Sequence, residues 1–105
     1  MSQFGVYRNP NPDTGEAFPL LLDVQSDLIA DLGTRAVVPL CPVSFMKGRL
    51  LETLTPVVEV AGKDYAMLTP QMAGVPRKSI GPWVADLARR RDAIVAALDM
   101  LVAGI

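Results

Sequence analysis

The sequence predicts a mainly β fold with one C-terminal α-helix. Nine prolines and eight glycines, spread from Gly5 to Gly104, cut most of the chain into short pieces bounded by turn residues. The pieces between them are apolar and in part β-branched, as strands require. The last quarter differs. From Trp83 to Val102 no glycine or proline intervenes, and Val84, Leu87, Ile94, Leu98 and Leu101 recur on one stripe at helical spacing. With 105 residues, 50% hydrophobic and 20% charged, the chain is expected to form one globular domain over 1–105.

Gln3 to Tyr7 reads as the first strand. Asn9-Pro10-Asn11-Pro12-Asp13-Thr14-Gly15 is a loop with strong breaker chemistry. Phe18 to Val24 follows as a second strand. Its apolar middle predicts burial on both faces or at a subunit contact. Ser26-Asp27-Leu28-Ile29 predicts a short turn or a one-turn helix, closed by Gly33. Arg35 to Leu40 is a third strand, which Pro39 assigns to an edge or a bulge. Pro56–Val60 and Tyr65–Leu68 pair as a hairpin over Ala61-Gly62-Lys63-Asp64. Pro70 to Val75 is a further short strand or loop. The helix is expected to start with Gly81 as N-cap and Pro82 at its first position. Gly104 suits the position just past its end. Asp86, Arg89, Arg90, Asp92 and Asp99 fall off the apolar stripe. Arg91 falls inside it, as an edge arginine snorkelling to water or as one half of an ion pair. Trp83 is expected to pack in the core at the helix entry.

Composition excludes several kinds of chemistry. Histidine is absent, which removes the usual general base and the commonest metal ligand. No Walker loop or GxGxxG is present. The single cysteine, Cys41, forms neither an internal disulfide nor a zinc site and reads as a small buried strand residue. Glu52 and Glu59 have no evident acid partner. Asp23, Asp27 and Asp31 have the i,i+4 spacing of a weak metal site and read better as solvated caps. No cofactor is expected. The net charge of −1, with ten basic and eleven acidic residues, gives no electrostatic case for direct nucleic-acid binding, and Arg89-Arg90-Arg91 is too short to overturn that. The start MSQFGVYRNP lacks an apolar h-region, and no run reaches membrane-spanning length. No signal peptide and no membrane association are expected, and the location is expected to be cytoplasmic. The surplus of apolar surface for so short a chain predicts a subunit interface.

Eight segments in order then carry a resemblance: Gln3-Phe4-Gly5-Val6-Tyr7, Leu22-Asp23-Val24-Gln25-Ser26-Asp27, Val38-Pro39-Leu40, Pro56-Val57-Val58, Met72-Ala73-Gly74-Val75-Pro76, Ile80-Gly81, Val84-Ala85-Asp86-Leu87 and Gly104-Ile105. Together they resemble the CcdB family of toxins over essentially the whole chain. The resemblance implies an SH3-like barrel of the CcdB/MazF type, with a long C-terminal helix, in a homodimer. It implies a type II toxin that binds the A subunit of DNA gyrase and traps the enzyme on cleaved DNA, and that does no catalysis itself. It also implies neutralisation by a CcdA-like antitoxin whose disordered segment wraps the toxin.

The resemblance places the gyrase contact at Leu28, Ile29, Asp99, Ala103, Gly104 and Ile105. Gly104 and Ile105 match the family's motif, and Leu28 and Ile29 match in type. Asp99 replaces an amide. Ala103 replaces a tryptophan, the kind of anchor whose loss costs about 2–4 kcal/mol of binding, a factor of roughly 30 to 1,000. Trp83 does not substitute for it: a helix starting there holds it about 30 Å away. A second reading is therefore a CcdB-fold homodimer that has lost poisoning but still binds an antitoxin. A third is a messenger-RNA endoribonuclease of the MazF type. That reading needs an arginine and a hydroxyl in a basic groove, for which Thr34 with Arg35, or Arg49 with Thr53, are the available pairs. The net charge argues against it.

Overall fold

The computed structural model describes residues 1–29, 33–48 and 53–104. Among these residues, seven antiparallel strands form one strongly curled sheet, a half-barrel, and one helix closes its inner face. The strands are β1 (Gly5–Arg8), β2 (Leu20–Asp23), β3 (Thr34–Pro42), β4 (Val57–Val60), β5 (Lys63–Met67), β6 (Ala73–Pro76) and β7 (Trp83–Asp86). Their order is β4-β5-β3-β2-β1-β7, with β6 also paired to β3. The helix α1 spans Arg91–Ala103.

Period-two alternation divides the sheet into two faces. Leu22 lies opposite Val38 and Leu20 opposite Leu40. These four enter the main core with Val6, Val58, Val60, Tyr65, Met67 and Leu87, and with Ile94 and Ala97 of the helix. The alternate residues face the other way, yet Leu21, Asp23, Arg35 and Val37 are also buried. So β2 is covered on both faces, as its apolar run predicts. Cys41 is buried in β3, as expected, within a small second cluster with Ala66 and Leu68, against which Phe18 and Met46 pack.

The hairpin forms where predicted but turns more tightly. Ala61 and Gly62, at φ 52° and 81°, make a two-residue turn of the mirror-image kind, while Lys63 and Asp64 pair with Val60 and Glu59. Pro39 does not mark an edge. β3 is the central strand, with β2 on one side and β5 then β6 on the other. The carbonyl of Pro39 accepts the Leu68 N–H (3.0 Å), so its missing N–H faces the point where β5 hands over to β6. The ladder loses nothing there.

The start of the helix differs most from expectation. Trp83–Asp86 is a strand along β1, and a one-turn 3-10 segment, Ala88–Arg90, leads into α1. The free edge of β1 offers these residues ladder bonds that an isolated helix end does not. Asp86 Oδ1 accepts the Ala88 N–H (2.6 Å) and starts the turn. Gly81 is no N-cap: a Cβ there would lie 2.7 Å from the Arg8 carbonyl, to which Gly81 donates its N–H (2.8 Å). Trp83 is 60% exposed, not core, and the helical-rise distance to position 103 does not apply. Arg91 is exposed at the first helical position, its guanidinium 5.6 Å from the centre of the Phe4 ring. No helix among the described residues is long and apolar enough to cross a membrane.

Candidate functional site

Four of the six expected contact residues sit on two short, exposed pieces of structure, and a fifth, Asp99, sits one turn back along the helix. The first piece is the end of α1. Its inner side buries Ile94 and Ala97, with Val95 and Leu98 partly covered. Its last turn faces solvent: Leu101, Ala103 and Gly104 are exposed, and Val102 is 81% exposed. Gly104 adopts the left-handed conformation (φ 71°) and donates its N–H to the Met100 carbonyl (3.0 Å), so it ends the helix as predicted. Asp99 is exposed one turn before Ala103, on the same flank. No basic residue occupies the last turn, so the Asp99 charge meets the negative end of the helix without compensation. Ile105 lies outside the described residues, as do Asp31, Arg49 and Glu52.

The second piece is a 3-10 turn, Asp27–Ile29, with no buried residue of its own. Leu28 is 94% exposed and Ile29 52%. The turn forms because Ser26 caps it twice. Its Oγ accepts the Leu28 N–H (3.2 Å) and its carbonyl accepts the Ile29 N–H (3.2 Å). Asp27 Oδ1 accepts the Gln3 N–H (2.9 Å), tying the turn to the start of β1. No hydrogen bond or ion pair joins the two pieces among the described residues.

Beneath the turn lies a buried polar cluster that sequence reasoning missed. Arg35 Nη2 sits 2.7 Å from Asp23 Oδ2, with both side chains fully buried, and Arg35 Nε donates to the same oxygen (2.8 Å). Asp23 Oδ1 accepts the Gln25 N–H (2.9 Å). The Gln25 side chain is a two-way link. Its Oε1 accepts the Ala36 N–H (3.0 Å), and its Nε2 donates to the Ile29 carbonyl (2.9 Å). Arg35 Nη2 also approaches Asp27 Oδ1, at 3.7 Å. Arg35 Nη1 has no partner among the described residues. Burial pushes the Asp23 carboxyl above its ordinary value, against the opposing pull of Arg35 and the Gln25 N–H. The available signal was polar residues at alternate positions, Asp23 and Gln25, leaving an apolar strand.

This cluster corrects two readings. Asp23 is not a solvated cap. Arg35 is sealed in an ion pair, so Thr34 with Arg35 presents no catalytic groove. Among the described residues no three His, Cys, Asp or Glu side chains gather to hold a metal. Two clefts remain. One, of about 260 Å³, has a floor of Phe18, Leu21, Val37 and Pro39 and an amide rim from Asn9, Asn11 and Gln71. The other, of about 410 Å³, lies between the β4–β5 turn and Asp86–Arg90. There Arg89 and Arg90 are offset by Glu59 and Asp86, and Arg90 Nη2 donates to the Val57 carbonyl (3.1 Å). Neither cleft pairs a nucleophile with a base.

The half-barrel and the C-terminal helix agree with the fold that the ordered motifs imply. A protein-family model described as CcdB protein matches residues 3–104, nearly the full chain. The chain belongs to the CcdB family, the toxins of a kind of toxin–antitoxin system.

Proposed function

We propose that this protein binds the A subunit of DNA gyrase through the end of α1 and the Leu28–Ile29 turn, and traps the gyrase–DNA cleavage complex. The observation that carries the reading is the uncharged, exposed final turn Leu101 to Gly104, on a helix whose other face is packed in the core. A rigid apolar end of that kind suits insertion into a partner protein. Asp99, Ala103, Gly104 and Ile105 form the contact at the helix end, and Leu28 and Ile29 form the second contact. The protein acts in the cytoplasm as a homodimer, which brings two helix ends to one target. A CcdA-like antitoxin removes it from gyrase. No cofactor takes part, and the toxin does no catalysis.

Purified protein incubated with gyrase, supercoiled plasmid and ATP, then with detergent and protease, yields linear DNA. Gly104→Glu and Ile105→Lys abolish that product while the protein stays folded. The Gly104 Cβ position is open, so the glutamate meets only the strain of φ 71°, about 1–2 kcal/mol. Variants that still linearise plasmid would show that the helix end is not the contact. Sedimentation at micromolar concentration gives a dimer; a monomer would remove the paired-end geometry.

One observation favours a second reading. Ala103 is exposed on the final turn with almost no side-chain area, where an anchor is expected. A homodimer that binds antitoxin but no longer poisons gyrase, acting as a decoy or autoregulatory partner, gives no linear DNA with antitoxin binding intact.

A further inference from the structure

We propose that Gln25 is a positioning residue that presets the Leu28–Ile29 turn for its partner. This deepens the gyrase reading above and rests on it. The turn carries two large apolar side chains in solvent and buries none of its own residues. Apolar packing therefore does not hold it in place. Polar bonds do, and they converge on a rigid base. Gln25 is buried, with its Oε1 fixed by the Ala36 N–H of β3 and its Nε2 aimed at the Ile29 carbonyl. A primary amide suits this link because one end must accept and the other must donate. Its backbone N–H is held by Asp23, itself clamped by Arg35. The chain of contacts runs from the central strand to the exposed turn without a break. Leu28 and Ile29 are thus presented in one conformation before any partner arrives, which removes ordering cost from binding.

Gln25→Glu tests the link directly. It keeps the acceptor for Ala36 and loses the donor to Ile29. Asp27→Ala is the companion. Asp27 is exposed, so the variant folds, and it loses the Gln3 N–H bond and the approach of Arg35. Amide hydrogen exchange at Leu28 and Ile29 is expected to quicken at least tenfold in both, with β2 and β3 unchanged. Affinity for the gyrase A subunit is expected to fall about tenfold. A purely structural role for Gln25 would instead speed exchange throughout the sheet. Unchanged exchange at Leu28 and Ile29 overturns the proposal whatever gyrase does. Leu28→Glu separates the remaining failures. If it abolishes binding while Gln25→Glu leaves affinity intact, positioning by Gln25 is wrong. If Leu28→Glu itself leaves affinity intact, the turn is not a gyrase contact and the underlying reading fails with it.

Discussion

Arg35→Met lowers the unfolding free energy by about 3–5 kcal/mol, the usual cost of removing one partner from a buried ion pair. Asp23 and Arg35 are both fully buried, and Asp23 Oδ2 takes both of its bonds from this one guanidinium. Methionine fills the space but strands the carboxylate, with only the Gln25 N–H on its other oxygen. The loss depends on pH in a defined direction. Burial already holds the Asp23 pKa above its ordinary value of 3.8, and Arg35 is the main influence pulling it down. Between 3.8 and the raised value, the folded state keeps a proton that the unfolded chain has released, so stability falls as pH rises through that window. Without Arg35 the window extends to higher pH. The deficit of the variant is therefore largest near neutrality and shrinks as the solution is acidified. Urea titrations of both proteins at several pH values measure this. Asp23→Leu with Arg35→Met, which removes both charges, recovers most of the loss. A deficit under about 1 kcal/mol at neutral pH would contradict a sealed, unhydrated pair.

Ala103→Trp raises gyrase affinity by about 30- to 1,000-fold, the reverse of losing an aromatic hot spot. The position permits it. Ala103 is the last residue of α1 and is exposed, followed by a glycine that turns the chain away. The indole therefore displaces nothing in the core and adds a large apolar face to the final turn. Thermal unfolding stays close to that of the parent protein, while surface plasmon resonance against the gyrase A subunit shows the gain, mostly as slower dissociation. Unchanged affinity would mean that this protein builds its contact differently, with Asp99 or Val102 carrying more of it.

The parts of the fold that were legible in the sequence are those fixed by local chemistry. Ala61-Gly62 between two alternating segments sets the hairpin, Ser26-Asp27 sets the turn, and Gly104 ends the helix. The misread parts depend on distant residues. Val84 and Leu87 are three apart and fit a helical stripe, but the free edge of β1 recruits Trp83–Asp86 as a strand. Pro39 looks like an edge signal, and only the handover from β5 to β6 beside it allows a central place. Asp23 and Arg35 each look like surface charges, because nothing local shows that they meet on a covered face. The candidate site divides in the same way. Its exposed residues follow from ordered motifs, whereas the amide that supports them is visible only once β2 and β3 lie side by side.

The pairing of β1 with β7 has a consequence for the timing of synthesis. Gly5 pairs with Asp86, and Val6 with Ala85, so one edge of the first strand stays bare until residue 86 leaves the ribosome. At about 5–20 residues per second that is several seconds of translation. The half-barrel cannot close during that interval, and the helix that carries the final turn follows last. Contacts this far apart in the chain also favour folding over milliseconds to seconds rather than microseconds. The exposed final turn is therefore presented only once synthesis is nearly over.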